Sequence, residues 1–271
     1  MTRCAVLIAE IGENHLGDAQ IAHRLVEEAA RAGADIVKFQ SYLGADVLPE
    51  DPERDWFNRV ELTDALHREL QAHAEQLGVV FLSSPFTVER ARFLCEGLGL
   101  RRIKVASSEM LNRALLDYLN LQGLEEVYLS TGMATLEEIR GSLDLLDSVR
   151  LVSILHCVTQ YPALDEEANL TALGTLAAAF PGKRIGYSDH TLGIEAPVAA
   201  VALGAGVIEK HFTLAKTLPG TDHVLSATPE EFAEMARRIR RVEKLMGSGL
   251  KIPAAREMEI REAVRGRSRK S

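Results

Sequence analysis

The sequence predicts an α/β protein, a (β/α)8 TIM barrel over residues 1–250 with a short C-terminal helical extension over 251–271. Three observations carry this. Short β-type apolar runs alternate with longer amphipathic stretches from one end to the other, there are eight such runs, and no low-complexity linker divides them. Parallel strands need a crossover, and an intervening helix supplies it, so eight repeated units in about 250 residues point to one barrel. An open doubly wound sheet is the rival arrangement.

In order, the strand runs are Cys4 to Ala9, Ala34 to Phe39, Val79 to Leu82, Ile103 to Val105, Val127 to Leu129, Leu151 to Leu155, Arg184 to Tyr187 and Gly206 to Glu209. Helical spacing is clear between and after them. Ile21, Leu25, Val26 and Ala29 share one face, and Phe232, Met235, Ile239, Val242 and Met246 share another. Thr135 with Glu138 has the capping-box pattern, and Thr228 with Glu231 adds Pro229 at the first helical position. Residues 247–253 read as a loop, 255–264 as a short helix outside the barrel, and the basic stretch 265–271 as a frayed end.

Bulk composition narrows the function classes. A chain of 271 residues that is 46% hydrophobic can fill one large core, and a net charge of −8 argues against nucleic acid as a partner. Three cysteines, Cys4, Cys95 and Cys157, form no C-x-x-C pair and do not complete an internal disulfide framework, which suits a reducing cytoplasm. The N-terminal apolar run is too short for a signal peptide, and no stretch approaches the ~18 apolar residues of a membrane span.

Barrel chemistry gathers at the carboxyl ends of the strands, and here every strand delivers a polar terminus. His190 and His211 each stand just beyond a strand run, and two neutral imidazoles on neighbouring strand ends can converge on Zn²⁺ or Mn²⁺. Lys38 and Lys104, with Ser83, Ser107 and Ser188 nearby in the strand-end motifs, have the makings of a phosphate site: ammonium charge plus hydroxyl donors. Glu10, Glu109 and Asp222 are candidate acid/base groups, hydroxyl binders or counter-ions of the lysines. His156 reads more readily as a core residue and Cys157 as inert packing, while Trp56 either covers the mouth or packs outside it.

Eight ordered motifs resemble the catalytic barrel of the sialic acid synthases. They are Ala9-Glu-Ile-Gly-Glu-Asn-His-Leu-Gly17, Val37-Lys-Phe-Gln40, Leu82-Ser-Ser-Pro-Phe86, Lys104-Val-Ala-Ser-Ser-Glu109, Ser130-Thr-Gly-Met133, Tyr187-Ser-Asp-His-Thr191, Glu209-Lys-His-Phe-Thr213 and Pro219-Gly-Thr-Asp-His223. The resemblance implies condensation of phosphoenolpyruvate with an N-acylated hexosamine, giving a nonulosonic acid and phosphate. It implies His190 and His211 as ligands of a divalent ion, Mn²⁺ first, with Mg²⁺, Co²⁺ or Zn²⁺ as alternatives. It also implies Lys38, Ser83, Lys104, Ser107 and Ser188 on phosphoenolpyruvate, Glu10, Gln40, Tyr161 and Asp222 facing the sugar, and Glu109 near the reacting centre. A homodimer is implied too.

Two departures bear on those expectations. Thr159 stands where sialic acid synthases commonly have asparagine, altering one contact to phosphoenolpyruvate or sugar. The family's antifreeze-like domain, which covers the partner's sugar site in a dimer, would begin where this sequence ends, so the sequence reads either as a truncated piece or as a naturally lidless member. Alternative readings are a synthase of the same type with another aldose acceptor, and a lidless barrel that binds without turnover.

Overall fold

In the computed structural model, residues 4–266 are described, so residues 267–271 of the basic C-terminal stretch lie outside them. Eight strands, β1 (Val6–Gly12), β2 (Ile36–Ser41), β3 (Val80–Pro85), β4 (Arg102–Val105), β5 (Glu126–Ser130), β6 (Val152–Cys157), β7 (Arg184–Asp189) and β8 (Val207–His211), form one sheet. All registered pairs are parallel, in the order β3-β2-β1-β8-β7-β6-β5-β4, and the end strands β3 and β4 lie beside one another. The result is the nearly closed (β/α)8 barrel that the strand-helix alternation predicts.

The crossovers are α1 (Ala19–Arg31), α3 (Asp64–Gln76), α4 (Val88–Arg92) with its π-turn to Gly97, α5 (Arg113–Asn120), α6 (Leu136–Leu145), α7 (Ala172–Ala179) and α8 (Glu195–Ala202). An additional helix, α2 (Arg54–Val60), sits in the long loop after β2. Both expected capping boxes are present, at Thr135/Glu138 and at Thr228/Glu231, where α9 (Pro229–Met246) begins. The α9 face is shorter than its periodicity implies: Phe232, Met235 and Ile239 are buried, but Met246 is exposed because the last turn runs past the barrel wall. A final helix, α10 (Ala255–Gly266), follows, with nearly all its described side chains exposed.

Strand period divides the side chains between two cores. Leu7, Ala9, Val37, Phe39 and their counterparts face the helices, while Ile8, Ile36, Leu82, Tyr128, Leu155 and Val207 fill the barrel interior. Gly186 belongs to this interior layer. A Cβ there would approach within 2.5 Å of Leu155 Cδ2 and 2.7 Å of the Val207 carbonyl, so only glycine lets those neighbours close over the axis. The barrel is therefore plugged below its mouth.

Most strands extend past the apolar runs at their carboxyl ends: β1 reaches Gly12, β3 Pro85, β6 Cys157 and β8 His211. Backbone pairing continues after the side chains turn polar. Above the apolar plug the inward positions are occupied by Glu10, Lys38, Ser84, Lys104, Ser130, Ser188 and Glu209 instead. Functional groups thus stand on hydrogen-bonded strands.

Outside β2 and β3, His15 and His67 are buried against Phe39 and Phe81, whose rings stack at 5.6 Å. Burial lowers both imidazole pKa values to about 4 from 6.5. Since the unfolded chain takes up these protons first as pH falls, both rings favour the native state above pH 6.5 and cease to do so progressively towards pH 4. The thermal midpoint is expected to fall across that window, with each ring accounting for up to about 3 kcal/mol. His67→Phe should flatten the decline in a pH series of melting curves, and an unchanged slope would remove His67 from the account.

Candidate active site

A cavity of about 630 Å³ opens at the carboxyl ends of the strands. Its floor is an ion cluster. Lys38 Nζ lies 2.8 Å from Glu10 Oε2 and 3.8 Å from Glu209 Oε2, and Lys104 Nζ lies 3.7 Å from Glu209 Oε1. Ser188 donates to Glu209 Oε1 at 2.9 Å, and Lys38 donates to Ser84 Oγ at 3.3 Å. Burial alone would push the Glu209 carboxyl up, but Lys104, Lys38 and the Ser188 hydroxyl hold it at about 2. Burial lowers the pKa of Lys104, with Glu209 opposing; for Lys38, Glu10 and Glu209 outweigh burial and raise it. Two ammonium groups thus stand at the base of a cleft, flanked by the hydroxyls of Ser84, Ser107, Ser130 and Ser188.

The histidines meet on one side of the mouth. His190 and His211 have ring centroids 5.3 Å apart, and Tyr161 lies 4.2 Å from the first and 5.8 Å from the second. His190 Nδ1 is 2.6 Å from the Val158 carbonyl, and His211 Nδ1 is 3.3 Å from Asp222 Oδ2. These contacts engage the Nδ1 side of each ring and leave Nε2 for a ligand, the arrangement in which a carbonyl or carboxylate orients a metal-binding imidazole. Burial would make His211 less ready to carry positive charge, and Asp222 reverses this by raising its pKa. Two imidazoles held through Nδ1, each with Nε2 free, suit in their neutral form a divalent cation completed by water or substrate. Among the described residues, no set of three or more His, Cys, Asp or Glu side chains is gathered as a metal-binding group.

Behind the sheet, a fully buried pair fixes both histidine-bearing strand ends. Lys210 Nζ donates to Asp189 Oδ2 at 2.6 Å and to the Thr191 carbonyl at 2.5 Å, while Tyr187 and Thr191 hydroxyls donate to Asp189 Oδ1. Lys210 points away from the cavity because it alternates with Glu209 and His211. On the neighbouring part of the rim, beyond β1 and β2, Trp56 Nε1 donates to Glu13 Oε2 at 2.6 Å and Tyr42 to Glu13 Oε1 at 3.0 Å. Trp56 therefore clamps the post-β2 loop at the edge of the mouth, and its ring packs against Gly220, whose φ of +133° strains any side chain and where a Cβ would lie 3.2 Å from His223 Cδ2 and 3.3 Å from the Trp56 ring.

Of the residues singled out in the sequence, Glu10, Lys38, Gln40, Lys104, Ser107, Thr159, Tyr161, Ser188, His190, His211 and Asp222 all line this cavity. Two do not. Ser83 is fully buried on the helix side of β3, its hydroxyl without a hydrogen-bond partner, because the next position carries the inward parity; Ser84 lines the cavity in its place. Glu109 ends the tight turn Ser107–Glu109, which aims Ser107 and Ser108 at the cavity and turns Glu109 aside, where Asn112 Nδ2 donates to it at 2.8 Å. His156 bonds the Ala168 carbonyl away from the mouth, as a core histidine would.

Cys157 lines the cavity, 3.8 Å from His190 Nδ1, instead of packing inertly. Burial would raise its thiol pKa, but His190 and Lys104 bring it below the ordinary value. Glu209 and Glu13 are the principal residues that the sequence reading left without a role. For Glu209 the signal was parity, since a residue two positions before an inward His211 on one strand must also face inward. For Glu13, which follows β1, no local pattern announces the contact with Trp56, 43 positions away.

A family model described as the NeuB family matches residues 25–251. The chain is 39% identical over 279 residues to the N,N'-diacetyllegionaminic acid synthase of Campylobacter jejuni, covering 96% of this chain and 83% of that protein. It is 35% identical over 271 residues to the human N-acetylneuraminate-9-phosphate synthase, covering 94% and 75%. Its structure resembles that of the N-acetylneuraminic acid (sialic acid) synthetase from Leptospira borgpetersenii, with a TM-score of 0.91, 36% identity and coverage of 98% of this chain and 93% of that one.

Two substitutions test the floor. Ser84→Ala should weaken binding of inorganic phosphate, used as an anion probe of the floor, about tenfold by removing a hydroxyl beside Lys38, whereas Ser83→Ala should leave it unchanged. Titration calorimetry on both variants decides which serine faces the ligand. Glu209→Gln leaves two buried ammonium groups short of a counter-charge and should cost about 3 kcal/mol of stability; denaturation within 1 kcal/mol of the parent would show that Glu10 suffices.

Proposed function

Since the chain belongs to the NeuB family, whose relatives here are synthases of sialic and legionaminic acids, we propose that it condenses phosphoenolpyruvate with an N-acylated hexosamine-type aldose. The products are a nonulosonic acid and phosphate. The observation that carries this reading is that Lys38 and Lys104, both buried, share one cavity with four serine hydroxyls and two oriented histidines. Phosphoenolpyruvate has an anion at each end, a phosphate and a carboxylate, and needs fixed cations and hydroxyl donors within one small site.

In this reading Lys38 and Lys104 bind those two anionic groups, and Ser84, Ser107, Ser130 and Ser188 fix their orientation. C3 of phosphoenolpyruvate attacks the aldehyde carbon of the open-chain sugar, forming the new C–C bond. Water adds at C2, and collapse of that adduct breaks the C2–O bond and releases phosphate. Glu10, hydrogen-bonded by Gln40 at 3.4 Å and paired with Lys38, is placed to accept a proton at the junction of the two substrates. Asp222 and Tyr161 hold the His211 and His190 side of the sugar subsite.

His190 and His211 would hold a divalent ion, Mn²⁺ in this proposal, which supplies Lewis-acid polarisation of the aldehyde oxygen. Charge supports that part of the reading. The positive charges of Lys38 and Lys104 are matched by Glu10 and Glu209, so the floor alone has no surplus with which to hold a polyanion. An added cation restores the balance. Relatives named for an unphosphorylated acid and for a 9-phosphate leave the charge of the acceptor open.

The decisive assay is phosphate release from phosphoenolpyruvate with N-acetylmannosamine, mannose and acylated diamino sugars, with Mn²⁺ or with a chelator. Release that needs both an acceptor and the metal is expected. His190→Ala and His211→Ala should each lower kcat by at least about a thousandfold, the scale of losing one group that stabilises transition-state charge. Full activity of either variant in metal-free buffer would overturn the two-histidine assignment.

A further inference from the structure

The cavity is electrostatically divided. Its cationic lining residues are Lys38 and Lys104, both on the floor and both within 4 Å of a glutamate; among the described residues no arginine lines it. Around the upper part stand four carboxylates from three separate loops: Glu13 after β1, Asp46 and Glu53 after β2, and Asp222 after β8. Between them the post-β2 loop contributes an apolar face, Leu43, Val47 and Phe57, and Phe86 joins it from beyond β3.

We propose that this rim selects the acceptor, with Glu13, Asp46 and Glu53 rejecting sugars that carry phosphate or carboxylate and the apolar face receiving uncharged substituents. The inference rests on the synthase reading, in which the floor holds phosphoenolpyruvate and the rim is what remains for the sugar. A phosphorylated acceptor would bring its dianion up against carboxylates with no cationic side chain of the rim to meet it. Repulsion inside a cleft is focused by the surrounding low-dielectric walls, and unfavourable pairing against the wrong ligand is an effective source of specificity.

Trp56 fixes this rim in place. Its indole N–H and the Tyr42 hydroxyl bond the two oxygens of Glu13, and its ring abuts Gly220, two residues before Asp222. One side chain therefore joins the β1, β2 and β8 loops around the acceptor position. It is also the chain's single tryptophan, so its emission reports on this rim.

The test compares N-acetylmannosamine with its 6-phosphate at saturating phosphoenolpyruvate and Mn²⁺. The unphosphorylated sugar is expected to have at least a tenfold higher kcat/KM, a gap of about 1.4 kcal/mol. Asp46→Lys with Glu53→Lys should narrow it at least about fivefold, and added salt should narrow it in the parent because exposed charges are screened. Equal or better use of the 6-phosphate by the parent, or an unchanged ratio in the double variant, overturns the filter.

Absence of phosphate release with either sugar would count against the synthase reading, and the filter would then be read by binding. Both sugars are titrated against Trp56 emission with phosphoenolpyruvate present. Tighter binding of the unphosphorylated sugar supports the filter, and equal or tighter binding of the 6-phosphate overturns it.

Discussion

The architecture of the mouth depends on one buried carboxylate, Glu209, held between two ammonium groups at the floor of the cavity. A lysine buried alone would lose its proton or force the barrel open. Glu209 lets two lysines remain on adjacent sides of the floor, and Ser188 fixes the carboxylate from the next strand. Such a cluster contributes little net stability, because desolvation offsets its Coulombic attraction. What it secures is position: two cations set in advance, at strand ends whose backbones cannot move independently.

The same logic recurs behind the sheet with the opposite polarity of purpose. Asp189 and Lys210 form a pair with no exposure at all, and neither faces the cavity. Their partners are the Tyr187 hydroxyl and the hydroxyl and carbonyl of Thr191, so the pair ties the end of β7 to the end of β8. His190 follows Asp189 and His211 follows Lys210 directly. The spacing of the two imidazoles is therefore set by an ion pair on the far side of the backbone. Rigid strands and a satisfied supporting layer set their backbone positions, and Val158 and Asp222 from the loops then orient the rings.

The barrel was legible in the sequence because its signal is repeated eight times, and errors at single strand ends do not accumulate. The strand ends themselves were misplaced by two or three residues in several cases, since an apolar run stops where the mouth begins while the hydrogen-bonded ladder continues. That displacement matters most where two identical residues are adjacent. Ser83 and Ser84 differ only in parity, and the apolar residues before them, Phe81 facing helices and Leu82 facing the axis, carry the same ambiguity in sequence. Glu109 is turned from the cavity for a different reason: it lies beyond the strand in a tight turn, where alternation no longer determines direction. The Trp56–Glu13 contact is tertiary and has no local trace.

A site built this way separates two demands that a single charged pocket would confuse. In the proposed reaction the floor must attract an anion, yet the free protein must fold with its cations already buried, so the lysines are neutralised in advance by Glu10 and Glu209. Attraction then comes from rearranged hydrogen bonding and from any cation at the histidines, instead of from a large standing positive potential. That restraint permits an acidic rim only a loop away. Had the floor carried an uncompensated double charge, the rim carboxylates would have been drawn to it as counter-ions and the cleft would close on itself. Neutrality at the bottom lets Glu13, Asp46 and Glu53 remain at the edge, Glu13 held there by Trp56, while the cavity between stays open.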